Sequence, residues 1–110
     1  MKIDYHDIDD ITILVIDGML TIGSDQEFAN VFQEQITRGR TKIVLDMTRV
    51  KYIDSLGIGQ IAGAYTQLVD VDGQLVLARI NEKIRELLRL TGLQDHISAY
   101  ATVEEAVDAL

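Results

Sequence analysis

The chain has 110 residues with 47% hydrophobic side chains, which suits one domain able to bury a single core without staples. It contains no cysteine, so disulfide frameworks, thiol catalysis and thiolate metal sites are excluded. A formal net charge of −8 disfavours nucleic acid and anionic membrane surfaces, whose phosphates are held mainly by clustered Lys and Arg.

The elements follow in chain order. "IDYHDIDDITILVIDG" reads as two strands, Ile3 to Asp7 and Ile11 to Ile16, joined across Asp9 and Asp10 as a hairpin. The second is apolar on both faces, as an inner strand is. "SDQEFANVFQEQITRGR" reads as a helix, with Ser24 and Glu27 as a capping box and Phe28, Val31, Phe32 and Ile36 at helical spacing; Gly39 stops it. "TKIVLDM" is a buried strand of β-branched and aliphatic residues that ends near Asp46 to Thr48. A helix then carries Ile58, Ile61, Ala62, Tyr65 and Leu68 as its apolar stripe and runs to about Val69.

After a turn at Asp72 and Gly73, "GQLVLARI" is another inner strand. "NEKIRELLRLTGL" is a helix with Asn81 as N-cap, Ile84, Leu87 and Leu88 turned inward, and a Schellman stop at Gly92 and Leu93. "HISAY" is a short last strand, and "TVEEAVDAL" closes as a helix with a capping box at Thr102 and Glu105. This alternation predicts a single-domain α/β fold: a mostly parallel, mixed β-sheet with an N-terminal hairpin and about four crossover helices. Functional loops in such sheets gather at the carboxyl ends of the strands, which places Tyr52 to Gly57 at that edge. With no proline and no Gly/Ser-rich run, nothing reads as a linker or a second domain. "MKIDYHDID" has neither a signal-peptide core nor the basic bias of a transit sequence, so a soluble, cytoplasmic protein is expected.

The segment "YIDSLGIGQIAG" asks for a local reason. Gly57, Gly59 and Gly63 stand in or near the first turns of a helix, where each interior glycine costs about 1 kcal/mol relative to alanine. Ser and Asp are preferred N-caps, so one reading has Asp54 or Ser55 simply satisfying the orphan amides at the start of the helix. Gly59 and Gly63, four apart, are expected to let the helix lie close to the sheet. Gly57 fits neither cap nor packing stripe, and is expected to leave the helix mouth bare beside Asp54 and Ser55.

The residues "IVLDMTRVKYIDSLGIGQIAGAYTQL", from Ile43 to Leu68, resemble the signature segment of the STAS domain family, the anti-sigma factor antagonists. In that family a strand ending in Leu-Asp leads through a loop to Asp-Ser-x-Gly-x-Gly, and Asp54, Ser55, Gly57 and Gly59 match it. "GQLVLARINEKIRELLRLTGL" resembles the next strand and helix of the family, so the likeness covers nearly the whole chain. Leu56 departs from the small residue usual there, and Thr21 in "GMLT" stands where the family commonly has Asp.

The resemblance implies a STAS-like fold, no cofactor and no catalysis. It implies a partner that is both anti-sigma factor and serine kinase, with Ser55 as the phosphorylated residue and Asp54, Ser55, Leu56, Gly57, Gly59 and Thr21 at the partner surface. It also leaves open an unphosphorylated interaction module, as in lipid-transport or stress-sensing complexes.

Other chemistries fit less well. Asp54-Ser55-Leu56 echoes a Gly-Asp-Ser-Leu hydrolase signature, but Ile53 replaces the glycine, and neither His6 nor His96 stands at a recognisable triad spacing. Asp4, Asp7, Asp9 and Asp10 are dense, yet they lack the glycine and bidentate Glu of a calcium loop and read as a solvated turn. Arg79, Lys83, Arg85 and Arg89 form a basic cluster, either helix surface partnered by Glu82 and Glu86 or a dock for an acidic partner.

Overall fold

The computed structural model describes residues 2–20 and 25–110. A hairpin of β1 (Lys2–Ile8) and β2 (Ile11–Leu20) is followed by α1 (Asp25–Thr37), β3 (Lys42–Ile53), α2 (Ser55–Val69), β4 (Gln74–Ala78), α3 (Glu82–Thr91), β5 (Ala99–Tyr100) and α4 (Val103–Asp108). The five strands lie side by side in the order of the sequence, β1-β2-β3-β4-β5. The hairpin pair is antiparallel and every later pair is parallel. The α/β sheet with an opening hairpin is therefore present as the sequence pattern predicts. Its turn places Asp9 at φ +54°, a conformation that Asp tolerates better than most residues.

Helices α1, α2 and α3 cover one face. Phe28 and Phe32, Ile58, Ile61, Ala64 and Leu68, and Ile84 and Leu88 share a core with Leu14, Ile16, Leu45 and Leu77 from the strands. The opposite face has a smaller core, in which Ala106 of α4 packs with Ile11, Ile13, Val44, Val76 and Ala78. Strands buried on both sides need continuous apolar sequence, and β2 and β3 supply it in "ILVI" and "IVL".

Local signals set the boundaries. Asn81 and Thr102 accept from the amides of Ile84 and Glu105, as N-caps do. Gly39 and Gly92 have positive φ (+76° and +78°) where α1 and α3 end. Ser24 and its capping box lie outside the described residues.

Several boundaries differ from expectation. β2 extends to Leu20, β4 stops at Ala78, and a 3-10 turn at Leu93–Asp95 leaves β5 only Ala99 and Tyr100. The largest difference is in β3, which continues past Thr48 to Ile53. Met47, Val50 and Ile53 are buried with two exposed residues between each, a spacing of three instead of two. The phase change is taken up within β3, which carries an extra residue against β2 between Asp46 and Arg49, opposite Val15 and Asp17, and another between Val50 and Tyr52, opposite Gly18 and Met19. Tyr52 and Ile53 are consequently strand residues, and only Asp54 separates β3 from α2.

A polar network fastens the hairpin to the end of α1. Buried Thr12 donates to Asp7 (2.8 Å) and accepts from the Arg40 guanidinium (2.9 Å). Arg38 bonds Asp7 (2.6 Å) and the side chain of Gln35, and it lies 4.8 Å over the Tyr5 ring.

Candidate functional site

The site is the junction of β3 and α2. Asp54 is extended (φ −106°, ψ −176°) and its carboxylate accepts from the amide of Gly57 at 2.8 Å, which makes it the N-cap. Its carbonyl accepts from Ile58 (3.0 Å), and its own amide donates to the Leu20 carbonyl (3.3 Å), so the cap is pinned to the end of β2. Ser55 is thereby released from capping. It is exposed as the first residue of α2, and among the described residues its hydroxyl meets no hydrogen-bond partner. By helix geometry the amides of Ser55 and Leu56 have no acceptor within α2, and the macrodipole makes this end favourable to negative charge.

The glycines exchange their expected roles. Gly57 is buried, and a Cβ added there would stand 2.1 Å from the Leu20 carbonyl oxygen. It is the packing glycine, the point at which the first turn of α2 rests on β2. Gly59 and Gly63 are exposed, and a Cβ on either would meet nothing within 4 Å. They do not bring α2 to the sheet; their lack of side chains leaves the outer surface of the helix smooth.

The structure thus gathers Asp54, Ser55 and Leu56 at one edge, with Gly57 beneath them and Gly59 exposed on the next turn. Thr21 lies outside the described residues. Sequence reasoning placed Tyr52 at this edge but passed over Met19; the two are register partners at the ends of β3 and β2 and are both exposed. For Met19 the signal was available: it precedes the inward Leu20, so alternation along the strand turns it outward.

The remaining candidates fall elsewhere. His6 pairs with Ile13 within the hairpin, and His96 ends the 3-10 turn with its ring 6.2 Å from that of Tyr65. Asp7 is engaged by Thr12, Arg38 and Arg40, and Asp10 by Lys42. The hydrogen bond from Thr12, then that from Arg38, holds the Asp7 carboxyl below its ordinary value; the Lys42 hydrogen bond does the same for Asp10. In the basic cluster, Arg89 pairs with Glu86 on the surface of α3, and that pair lowers the Glu86 pKa through the hydrogen bond it makes. Among the described residues no helix is long and apolar enough to cross a membrane.

This geometry can be set beside known proteins. The sequence model of the STAS domain matches residues 2–106. The chain belongs to the STAS domain family. A Thermotoga maritima protein, provisionally named an anti-sigma factor antagonist, is 32% identical to this STAS domain over 105 residues, covering 94% of this chain and 93% of the relative. The anti-sigma-B factor antagonist of Staphylococcus aureus is 28% identical over 91 residues, covering 81% of this chain and 84% of its own. Among solved structures, a crystal structure of a Thermotoga maritima protein with the same provisional name superposes with a TM-score of 0.92 at 31% identity, covering 97% and 92% of the two chains. Unphosphorylated SpoIIAA, an anti-sigma factor antagonist, superposes with a TM-score of 0.77 at 21% identity, covering 98% and 96%, a likeness of fold.

Proposed function

We propose that this STAS domain is an anti-sigma factor antagonist: it binds an anti-sigma factor, frees the sigma factor held by it, and is switched off when that partner, acting as a serine kinase, phosphorylates Ser55. The observation that carries the reading is the division of labour at the head of α2. Asp54 caps the helix, so the exposed Ser55 hydroxyl has no structural duty and can accept a phosphate without unravelling the turn. A phosphate adds about −1.5 to −2 charges, and at a helix N-terminus such charge is stabilising by about 0.3–1 kcal/mol, so the fold survives the modification. What changes is the surface offered to the partner. Relatives named anti-sigma factor antagonists along most of the chain support the role.

The test is the intact mass of the protein after incubation with ATP and each anti-sigma factor of its host. A gain of one phosphate that disappears in Ser55→Ala supports the switch. Ser55→Ala should then hold the partner persistently, and Ser55→Asp should fold normally and bind weakly. Stable binding without modification by any candidate would replace the switch with an unphosphorylated interaction module.

A further inference from the structure

We infer that the free edge of β1 pairs with β1 of a second copy of the chain, antiparallel about a twofold axis at Tyr5, so that two sheets join into one across a homodimer. The edge belongs to β1, whereas Ser55 follows β3, so the inference stands without the role proposed for that residue.

β1 is the outer strand of the sheet, and along its seven residues only Ile3 is less than fully exposed. A strand in that position offers unpaired amides and carbonyls to another strand. Which of them are free follows from the turn. Ile8 and Ile11 flank the two-residue turn and face each other, so they form a hydrogen-bonded pair, and the pairing runs on without a shift to Lys2 and Asp17. Hydrogen-bonded and open pairs alternate, hence His6, Asp4 and Lys2 also direct their backbone groups to β2, while those of Ile3, Tyr5 and Asp7 point outward. Two copies of β1 can bond only with these outward residues opposite one another. The axis then falls on Tyr5, which pairs all seven residues, or slips by two residues in register and falls on Asp4 or on His6.

The side chains choose among these registers. Lys2, Asp4, His6 and Ile8 share the sheet face of the smaller core, as their β2 partners Val15, Ile13 and Ile11 show; Ile3 and Tyr5 share the helix face with Ile16 and Leu14. With the axis on Tyr5, Asp4 lies opposite His6 of the second copy, and His6 opposite its Asp4. Both are open pairs, in which side chains approach most closely, so an imidazole N–H can donate to a carboxylate twice across the dimer. Lys2 lays its stem along the Ile8 of the other copy, a side chain 39% exposed in the single chain. On the helix face the two Tyr5 rings meet, each already beneath its own Arg38 guanidinium at 4.8 Å. Ile3 faces an Asp7 whose carboxylate is held by Thr12 and Arg38. The slipped registers set Asp4 against Asp4, or His6 against His6. Charges on an edge strand ordinarily block pairing, but the order of these is complementary to itself in one register. That self-complementarity makes the occupant a second copy of the chain.

The experiment is sedimentation equilibrium of the full chain from about 1 μM to about 1 mM; one strand edge buries little area, so a dimer with a Kd on the order of 10 μM is expected. His6→Asp opposes two carboxylates in both symmetry-related pairs and should weaken the dimer about tenfold. Adding Asp4→His to it exchanges the two partners, and should restore the Kd to within about threefold of wild type. Tyr5→Pro removes an amide that β2 does not use and should leave the protein monomeric, with far-UV circular dichroism confirming the fold. Leu90→Ser, at an apolar side chain on α3 that is 65% exposed, should change nothing. A monomer throughout the concentration range would overturn the inference, as would a dimer that survives both His6→Asp and Tyr5→Pro or dissociates in Leu90→Ser. Failure of the double variant to recover would overturn the register.

Discussion

The backbone of Gly57 is pressed against the carbonyl of Leu20, with room for hydrogen and none for a methyl. An added Cβ would lie 2.1 Å from the Leu20 oxygen and 2.7 Å from Cγ1 of Ile53. The oxygen belongs to backbone and the Ile53 side chain is part of the core, so neither yields easily. Gly57→Ala is therefore expected to destabilise the domain by about 1–3 kcal/mol. Gly59→Ala and Gly63→Ala, which face open space, should stabilise it by about 0.5–1 kcal/mol through helix propensity and the unfolded chain. Urea unfolding of the three variants checks the contrast, and a Gly57→Ala protein as stable as wild type would remove the close approach from the account.

Capping and phosphate acceptance are divided between Asp54 and Ser55, so they should separate in mutants. Asp54→Ala is expected to cost about 1 kcal/mol, and Asp54→Asn, which retains an acceptor oxygen, only a fraction of that. Ser55→Ala should leave stability nearly unchanged. Thermal unfolding of the three proteins distinguishes this arrangement from one in which Ser55 supplies the cap.

Acid should loosen the hairpin through Asp7. Thr12 and Arg38 lower its pKa in the folded protein from an ordinary value of 3.8. A lowered folded pKa means that the unfolded chain binds more protons in the acid range; the stabilisation is complete above the unfolded pKa and is lost as pH falls through the folded one. The melting temperature should accordingly drop on acidification below about pH 4. Asp7→Asn should lower the melting temperature at neutral pH and make the acid profile shallower, as circular dichroism melts between about pH 3 and about pH 7 would record.

Gln60 presents the opposite situation. Both polar atoms of its carboxamide are buried without a hydrogen-bond partner among the described residues, beside the contact of α1 with α2. An orphaned buried polar group costs about 1–3 kcal/mol, so Gln60→Met, of similar shape, should leave stability equal or raise it by about 1 kcal/mol. A loss of more than about 1 kcal/mol on denaturant unfolding would mean that the amide is satisfied in solution.

What the sequence made readable was local chemistry. Asn81, Thr102 and Gly92 announce helix ends by side-chain oxygens and backbone conformation, which depend on neighbours a few residues away. The edge carrying Asp54 and Ser55 was legible for the same reason, since topology brings strand ends to it. The extension of β3 to Ile53 was hidden by Thr48, Arg49, Lys51 and Tyr52, whose exposure breaks strand alternation; it becomes intelligible only with the extra residues that β3 carries against β2 beside it. The roles of the glycines were hidden more deeply. Nothing near Gly57 in sequence reports that the carbonyl of Leu20 will arrive beneath it, and Gly59 and Gly63 look like packing residues until the space around them is known.

The order β1-β2-β3-β4-β5 also bears on how the chain acquires its structure. Ile11 pairs with Lys42, Lys42 with Gln74 and Leu77 with Ala99, so each parallel pairing closes a loop of about twenty to thirty residues and none joins distant ends of the molecule. Short loops keep the contact order low for a parallel sheet, and loop closure rather than total length governs how quickly such pairings form. Each crossover adds its strand to one that already exists, so the sheet can grow from the hairpin in the direction of synthesis. Native-state hydrogen exchange should show the signature of that growth: strongest protection in β2 and β3, which have partners on both sides, and the weakest strand protection in β5, the last and shortest to arrive.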